Sequence, residues 1–194
     1  MTAIMQLICQ GETLANRQSR FPSDDPLSEA SLKQVHQLKE CVGPFNKIWT
    51  APALAARQTQ FELGLRGESV AELAEPGYGR WAGIPIKTVI EQDEGAFQRW
   101  LSGEAPPGGE SMAQVMVRAG TWLPQRVADR ECQCAIVSSA VIRAIVIQLL
   151  DAPVSAFQLI DILPLSVTTL RSNGKRWHLS CLGGRLDVLR REPT

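Results

Sequence analysis

The chain has 194 residues, 44% of them hydrophobic, with 20 basic and 20 acidic side chains that give a formal net charge of zero. This length and hydrophobicity predict a single domain, spanning residues 1–194, with a substantial buried core. The charge balance provides no bulk attraction for nucleic acid or for an anionic membrane, so we expect neither as a partner.

The cysteine pattern argues against a disulfide framework. There are five cysteines, an odd number, and no Cys-x-x-Cys pair. This pattern predicts reduced thiols and no metal centre, and we expect no cofactor. No apolar run reaches the ~18 residues of a membrane helix, and no basic residue precedes the apolar N-terminal stretch. We therefore expect a cytoplasmic protein.

Buried strands and amphipathic helices alternate in the first part of the chain. Residues 3–9 form an apolar run that ends at Gly11, which predicts a first strand. Ser28 is a predicted N-cap for a helix whose apolar stripe runs to Val42. A short second strand is predicted at 47–50, followed by a helix from Pro52 to about Gly64.

The same alternation continues to the end of the chain. Further elements are predicted as helices at 86–101, 110–127 and 140–150 and as a strand at 134–138. Two late strands, at 167–171 and 175–180, flank Asn173-Gly174, a strong hairpin signal. Together these elements predict an α/β three-layer sandwich in which helices flank a mainly parallel central sheet.

Five segments, in chain order, carry a family resemblance. They are Gly11-Glu12-Thr13 with Asn16 and Arg20-Phe21, then Pro26-Leu27-Ser28, then 50–59, then Glu75 to Gly83, and finally 107–111 with 136–144. In this order and spacing they resemble the histidine phosphatase (phosphoglycerate mutase-like) superfamily. The segment from Asp161 to Arg171 is also similar to members related to alpha-ribazole phosphatases.

The resemblance implies a catalytic pocket whose chemical groups this chain has replaced. The family uses a histidine nucleophile, two arginines and a second histidine to transfer a phosphoryl group, and an acid to protonate the leaving oxygen. The nucleophile position holds Gln10, the arginine positions hold Cys9 and Ala55, and the second histidine position holds Ser138. Glu75 occupies a position that often supplies the acid.

These replacements predict a pseudoenzyme that keeps the fold as a binding or interaction module. Its pocket is expected to be near-neutral and to take an unidentified small molecule or protein, and a homo-oligomer is compatible with the sequence. The pocket positions are Cys9, Gln10, Asn16, Ala55, Glu75, Ser138 and Ser139. The alternative is a hydrolase that uses Glu75 in chemistry without phosphohistidine. A purely structural interpretation of Asn16 and Glu75 is that their hydrogen bonds hold loops in place.

Other nucleophiles fit the sequence less well. Cys9 lacks the Cys-x5-Arg spacing of a cysteine phosphatase, and Ser138 lacks the Gly-x-Ser-x-Gly turn of an esterase. The chain has only two histidines, His36 and His178. His36 falls outside an apolar helical stripe and His178 follows Trp177 in a late strand, so we expect neither to be a nucleophile.

Overall fold

The computed structural model describes residues 3–127 and 131–187, which form a sheet flanked by helices. No helix within these ranges is long and apolar enough to cross a membrane. In chain order the strands and α-helices are β1 (Ala3–Cys9), α1 (Leu14–Arg17), α2 (Glu29–Leu38), β2 (Lys47–Thr50), α3 (Leu54–Glu62), β3 (Glu68–Ser69), α4 (Ile86–Gln92), α5 (Glu94–Leu101), α6 (Met112–Trp122), β4 (Cys132–Val137), α7 (Ser139–Leu149), β5 (Ser166–Ser172) and β6 (Trp177–Arg185).

The described strands form a six-stranded sheet in the order β3-β2-β4-β1-β5-β6. Strands β1, β2, β3 and β4 pair in parallel, whereas β5 and β6 add an antiparallel edge. Residues 133–137 of β4 are all buried. Because successive side chains of a strand point to opposite faces, both faces of the sheet must be covered. The predicted α/β fold with a mainly parallel sheet is confirmed.

The predicted helix at 86–101 is wrong as a single element, because the chain breaks at Asp93. Asp93 has an extended backbone (φ −156°, ψ 78°), and its carboxylate accepts a hydrogen bond from the Ala96 N–H at 2.8 Å. Aspartate favours this N-cap geometry over a helix interior. The helical spacing of apolar residues therefore spans two separate helices, α4 and α5, which are divided by the N-cap residue Asp93.

The predicted helix at 110–127 is shorter than expected at both ends. Ser111 caps α6 in a reciprocal arrangement with Gln114, so the helix begins at Met112 rather than at Glu110. After Trp122 the chain tightens into a 3₁₀ turn at Pro124–Arg126. Proline has no N–H to continue the helical hydrogen bonds, which explains the early end.

Smaller differences concern element ends. Helix α3 begins at Leu54 rather than at Pro52, and β4 ends at Val137, with Ser138 as the N-cap of α7. The Asn173-Gly174 hairpin is present, but β6 extends to Arg185 beyond the predicted end at residue 180. The longer strand keeps its pairing with β5 through a register shift, which local sequence signals do not reveal.

Candidate functional site

The carboxyl ends of β1 and β4 lie side by side, because the two strands are parallel and in register from Ile4 to Cys9. The Gln10 N–H donates to the Val137 carbonyl at 2.8 Å. The Gly11 N–H donates to Thr59 Oγ1 at 3.0 Å, and that hydroxyl donates to the Ala55 carbonyl at 2.8 Å. These bonds place the residues after β1 and β4 next to the first turn of α3.

Glu75 lies against Gln10 at this edge of the sheet. Gln10 is 6% exposed, and its side chain lies close enough to the Glu75 carboxylate to lower the pKa of that group. Desolvation, followed by the negative charges of Asp24 and Asp25, raises the pKa of Glu75 from 4.5 to about 7, although the Gln10 side chain opposes the shift. The carboxyl group of Glu75 is therefore partly protonated near neutral pH.

Cys9 is a buried thiol. Desolvation, with a smaller contribution from the Glu75 charge, raises its pKa to about 12 even though Arg143 and the Leu165 N–H oppose the shift. A thiol with this pKa is protonated at neutral pH and is a poor nucleophile. All five cysteines lie within the described ranges, and each is a free thiol.

Ser138 and Ser139 serve the start of helix α7. Ser138 is 2% exposed, and its Oγ accepts from the Val141 N–H at 3.5 Å as the N-cap. Ser139 Oγ accepts from Arg143 Nη2 at 3.3 Å. Both hydroxyls therefore have local hydrogen-bond roles at the carboxyl end of β4.

Asn16 also has a local role in the structure. Its Oδ1 accepts from the Thr13 N–H at 3.0 Å and from Thr13 Oγ1 at 2.9 Å, while Thr13 caps the short helix α1. This arrangement agrees with the interpretation of Asn16 as a residue that holds a loop. Glu75 differs, because the side chain that affects its pKa belongs to Gln10, at the carboxyl end of β1.

Glu75 also lines an open cleft of about 460 Å³. Its lining comprises Pro22, Ser23, Asp24, Pro52, Ala53, Ala74, Glu75, Pro76, Gly77, Tyr78, Gly79 and Ala82. Two carboxylates line this cleft, whereas its described lining contains no lysine, arginine or histidine. The cleft therefore carries acidic and no basic side chains along its lining. Of the predicted pocket positions it includes Glu75, and the near-neutral pocket expected from the sequence stays a prediction.

Asp24 is held at the cleft by its backbone and by helix α3. Its backbone is left-handed (φ 61°), and its Oδ1 accepts from the Leu54 N–H, the first of α3, at 2.6 Å. Its neighbour Asp25 instead pairs with Arg20 at 3.4 Å. Asp24 is thus fixed at the cleft without a basic partner in the described contacts.

Sequence reasoning missed three residues that belong to this site. Asp24 and Tyr78 line the cleft, and Arg143 lies close enough to Cys9 and Tyr78 to affect their ionisation. Arg143 had a usable signal, because it lies in the segment 136–144 that carries the family resemblance. Its Nε donates to the Ser139 carbonyl, one helical turn earlier, at 3.4 Å. Asp24 had none, because a bond across 30 residues of sequence places it.

Neither histidine of the chain belongs to the cleft lining. His36 lies on α2 with its side chain 71% exposed, 3.5 Å from Glu62 near the end of α3. His178 is exposed on β6 and pairs with Arg171, which is opposite Ile4 at the start of β1. No group of three or more His, Cys, Asp or Glu side chains in the described residues is placed to hold a metal ion.

Comparison with known proteins identifies relatives over most of the chain. Residues 5–184 match the sequence profile of the histidine phosphatase superfamily (branch 1). A search of curated proteins returned no significant match.

Solved structures share the fold at low sequence identity. A mycobacterial glucosyl-3-phosphoglycerate phosphatase crystallised with VO₃ is 24% identical, with a TM-score of 0.82 over 94% of this chain and 98% of that chain. A proposed alpha-ribazole-5'-P phosphatase from Escherichia coli is 18% identical, with a TM-score of 0.83 over 94% and 98% of the two chains. A phosphoserine phosphatase from Entamoeba histolytica in complex with 3-phosphoglyceric acid is 18% identical, with a TM-score of 0.82 over 93% and 96%.

Proposed function

The chain belongs to branch 1 of the histidine phosphatase superfamily, and we propose that it is a non-catalytic member that acts as a binding or interaction module. In this proposal the cleft beside Gln10 and Glu75 binds a small molecule or a segment of a protein. The free thiols of all five cysteines support a reducing, cytoplasmic location.

The placement of the two histidines carries this proposal. The family's reaction needs a neutral imidazole that attacks phosphorus, and here the nucleophile position holds the Gln10 amide. His36 and His178 are exposed on α2 and β6, outside the cleft lining. Loss of a catalytic nucleophile typically costs on the order of 10⁴ to 10⁶ in rate, so no useful phosphohistidine chemistry is expected.

The charge of the site supports the same proposal. A phosphoryl group in transfer spreads negative charge over its oxygens, and arginines that stabilise this charge are worth about 10³ to 10⁵ in rate. The two arginine positions of the family hold Cys9 and Ala55, both 2% exposed and neither charged at neutral pH. The cleft lined by Glu75 also contains Asp24 and no basic side chain among its described lining, so it offers no positive charge to a phosphomonoester.

The test is hydrolysis of 4-nitrophenyl phosphate between pH 4 and 9. We expect the wild-type protein to show no turnover above a mock purification. A variant that combines Cys9→Arg, Gln10→His, Ala55→Arg and Ser138→His is expected to gain phosphate binding or activity if its melting curve shows that it folds. Wild-type turnover comparable to that of an active relative would contradict the proposal regardless of the variant.

A second candidate is a hydrolase that uses Glu75 to activate water. One observation favours it, because a carboxyl group with a pKa of about 7 is suited to general acid–base catalysis at neutral pH. This candidate requires that any hydrolysis be lost in Glu75→Gln. Equal rates in the wild type and in Glu75→Gln would assign the activity to a contaminant.

A further inference from the structure

A second cavity, the hairpin cavity, lies where the ends of helices α6 and α7 meet the hairpin between β5 and β6. Four of its lining residues fall within 120–127, three within 145–149 and three at 175–177. Its volume is about 330 Å³, within the range of small-molecule sites. It shares no lining residue with the cleft that contains Glu75, so the two sites are separate.

The buried part of the hairpin cavity's lining is apolar. Leu123, Ile145 and Trp177 line it, and each is at most 5% exposed. The Trp177 indole N–H donates to the Leu123 carbonyl at 3.1 Å, so this ring brings no unpaired donor to the cavity. Val127 and Leu149 add half-buried apolar side chains. An alkyl chain in the cavity would therefore be removed from water together with these side chains.

The exposed part of the same lining is basic. Lys175 and Arg176 are consecutive and exposed, and the described lining contains no aspartate or glutamate. Neither side chain forms an ion pair with a described residue, whereas Arg20, Arg118 and Arg185 each contact a carboxylate. Two such positive charges beside an apolar cavity complement an anion rather than a cation.

From these two features we propose that the hairpin cavity binds an amphipathic anion, with its alkyl chain against Leu123, Ile145 and Trp177 and its anionic headgroup beside Lys175 and Arg176. The apolar lining selects for the chain, and the basic pair selects for the charge of the headgroup. This inference goes beyond the proposed function and holds whether or not the chain is catalytic, because the two sites share no residue.

The first experiment compares octanoate, 1-octanol and octylammonium, which share a chain length and differ in headgroup charge. Binding to the full-length protein is measured by isothermal titration at pH 7.5, at low ionic strength and below the concentrations at which the probes aggregate. We expect octanoate to bind about fivefold more tightly than 1-octanol, as two exposed ion pairs allow. Octylammonium should bind more weakly than both. No binding of octanoate, or equal binding of octylammonium, would overturn the proposal.

The length of the alkyl chain tests the apolar lining. Each buried methylene contributes about 0.8 kcal/mol, so octanoate should bind about tenfold more tightly than hexanoate. Equal affinities for the two acids would mean that the headgroup alone is held at the surface, and the cavity would then not be the site.

A double substitution tests the basic pair. Lys175→Gln combined with Arg176→Gln should weaken octanoate binding about fivefold. The matched control combines Lys33→Gln with Arg66→Gln, which removes two exposed positive charges from outside the lining and should leave binding unchanged. Melting curves verify that both variants fold. Wild-type affinity in the Lys175/Arg176 variant would overturn the proposal.

A bulky substitution tests the location independently of charge. Leu149→Trp fills the cavity and should abolish octanoate binding, whereas Leu150→Trp changes the adjacent residue, which is 56% exposed and outside the lining, and should not. Unchanged binding in a folded Leu149→Trp protein would place octanoate elsewhere and overturn the proposal. If Leu149→Trp does not fold, the double charge variant decides. Hydrolysis of 4-nitrophenyl phosphate bears only on the proposed function, so the two failures are distinguishable.

Discussion

Two carboxylates near the same loop have opposite surroundings. Glu110 receives two hydrogen bonds from the Arg118 guanidinium, at 2.7 and 2.8 Å, and also accepts from the Gly77 N–H at 3.4 Å. Glu75, two residues before Gly77, has a pKa raised to about 7 by desolvation and by the charges of Asp24 and Asp25. Glu110 thus fastens the loop to α6, whereas Glu75 remains a poorly solvated carboxylate at the cleft.

The comparison distinguishes a carboxylate that stabilises the fold from one that is a candidate for function. A carboxylate paired with arginine stabilises the fold, while a poorly solvated carboxylate near like charges costs stability and is a candidate for a functional role. Substitutions in the loop clasp, defined as residues 77–79 packed on 107–110, should therefore lower the free energy of unfolding. Substitutions at the cleft should instead change ligand binding and the pH dependence of stability.

The largest expected effect comes from Gly79→Ala in the loop clasp. Gly79 has a left-handed backbone (φ 53°), and a Cβ at this position would overlap the Pro107 carbonyl oxygen and the Gly108 backbone. We expect a loss of about 3 kcal/mol or more in the free energy of unfolding, measured by urea denaturation.

Gly83→Ala is the matched control for Gly79→Ala. Gly83 is also left-handed (φ 76°), but its Cβ would meet only Ser23, at ordinary distances. It should lose about 1 kcal/mol from backbone strain alone. Equal losses in the two variants would show that the close approach of the loops does not matter.

A smaller loss is expected for Arg118→Ala, which removes the partner of Glu110. Arg118 also donates to the Glu72 carbonyl at 2.8 Å, and both partners of the ion pair are about four-fifths buried. Urea denaturation should show a loss of about 2 kcal/mol. Arg99→Ala, whose pair with Glu104 is more than half exposed on both sides, should change stability little.

Glu75→Gln should raise the free energy of unfolding rather than lower it, by a smaller amount that depends on pH. The folded-state pKa of about 7 exceeds the ordinary value of 4.5, so folding favours the protonated form. Stability contributed by this group is therefore full below pH 4.5 and is lost as the pH rises to 7. The free energy of unfolding of Glu75→Gln, relative to that of the wild type, should therefore increase by on the order of 1–2 kcal/mol as the pH rises from 5 to 8. A constant difference across this range in urea titrations would refute the raised pKa.

The last prediction concerns the reactivity of two thiols in the native protein and requires no substitution. Cys181 is exposed on β6, whereas Cys9 is 2% exposed with a pKa of about 12. Iodoacetamide at pH 8 should label Cys181 in the native protein and Cys9 only after denaturation, as read by peptide mass spectrometry. Native labelling of Cys9 would show that the site opens to solvent.

The fold was predictable where local pattern determines structure. Strands β1 and β2 lie at the predicted residues, because buried apolar runs ending at turn residues are local signals. The break at Asp93 was not predicted, since the apolar spacing continues across it and only the cap geometry divides the two helices. The extent of β6 depends on its pairing with β5, which is a long-range property.

The sequence placed the candidate site residues along the chain, but it did not reveal the charges around Glu75. Family motifs located Gln10, Glu75 and Ser138 along the chain, and the parallel register of β1 and β4 brings Gln10 beside Ser138. The acidity of the cleft was not predictable, because Asp24 reaches it through a bond to α3. Sequence spacing carries no information about such placement.

The most direct test of the non-catalytic function is titration of the wild-type protein with orthovanadate. Vanadate mimics the transition state of phosphoryl transfer, which an active site binds far more tightly than substrate. An active histidine phosphatase titrated under the same conditions serves as the positive control. We predict no saturable binding, because the nucleophile position is Gln10 and the cleft lining carries carboxylates without basic side chains. Binding as tight as that of the active relative would contradict the account.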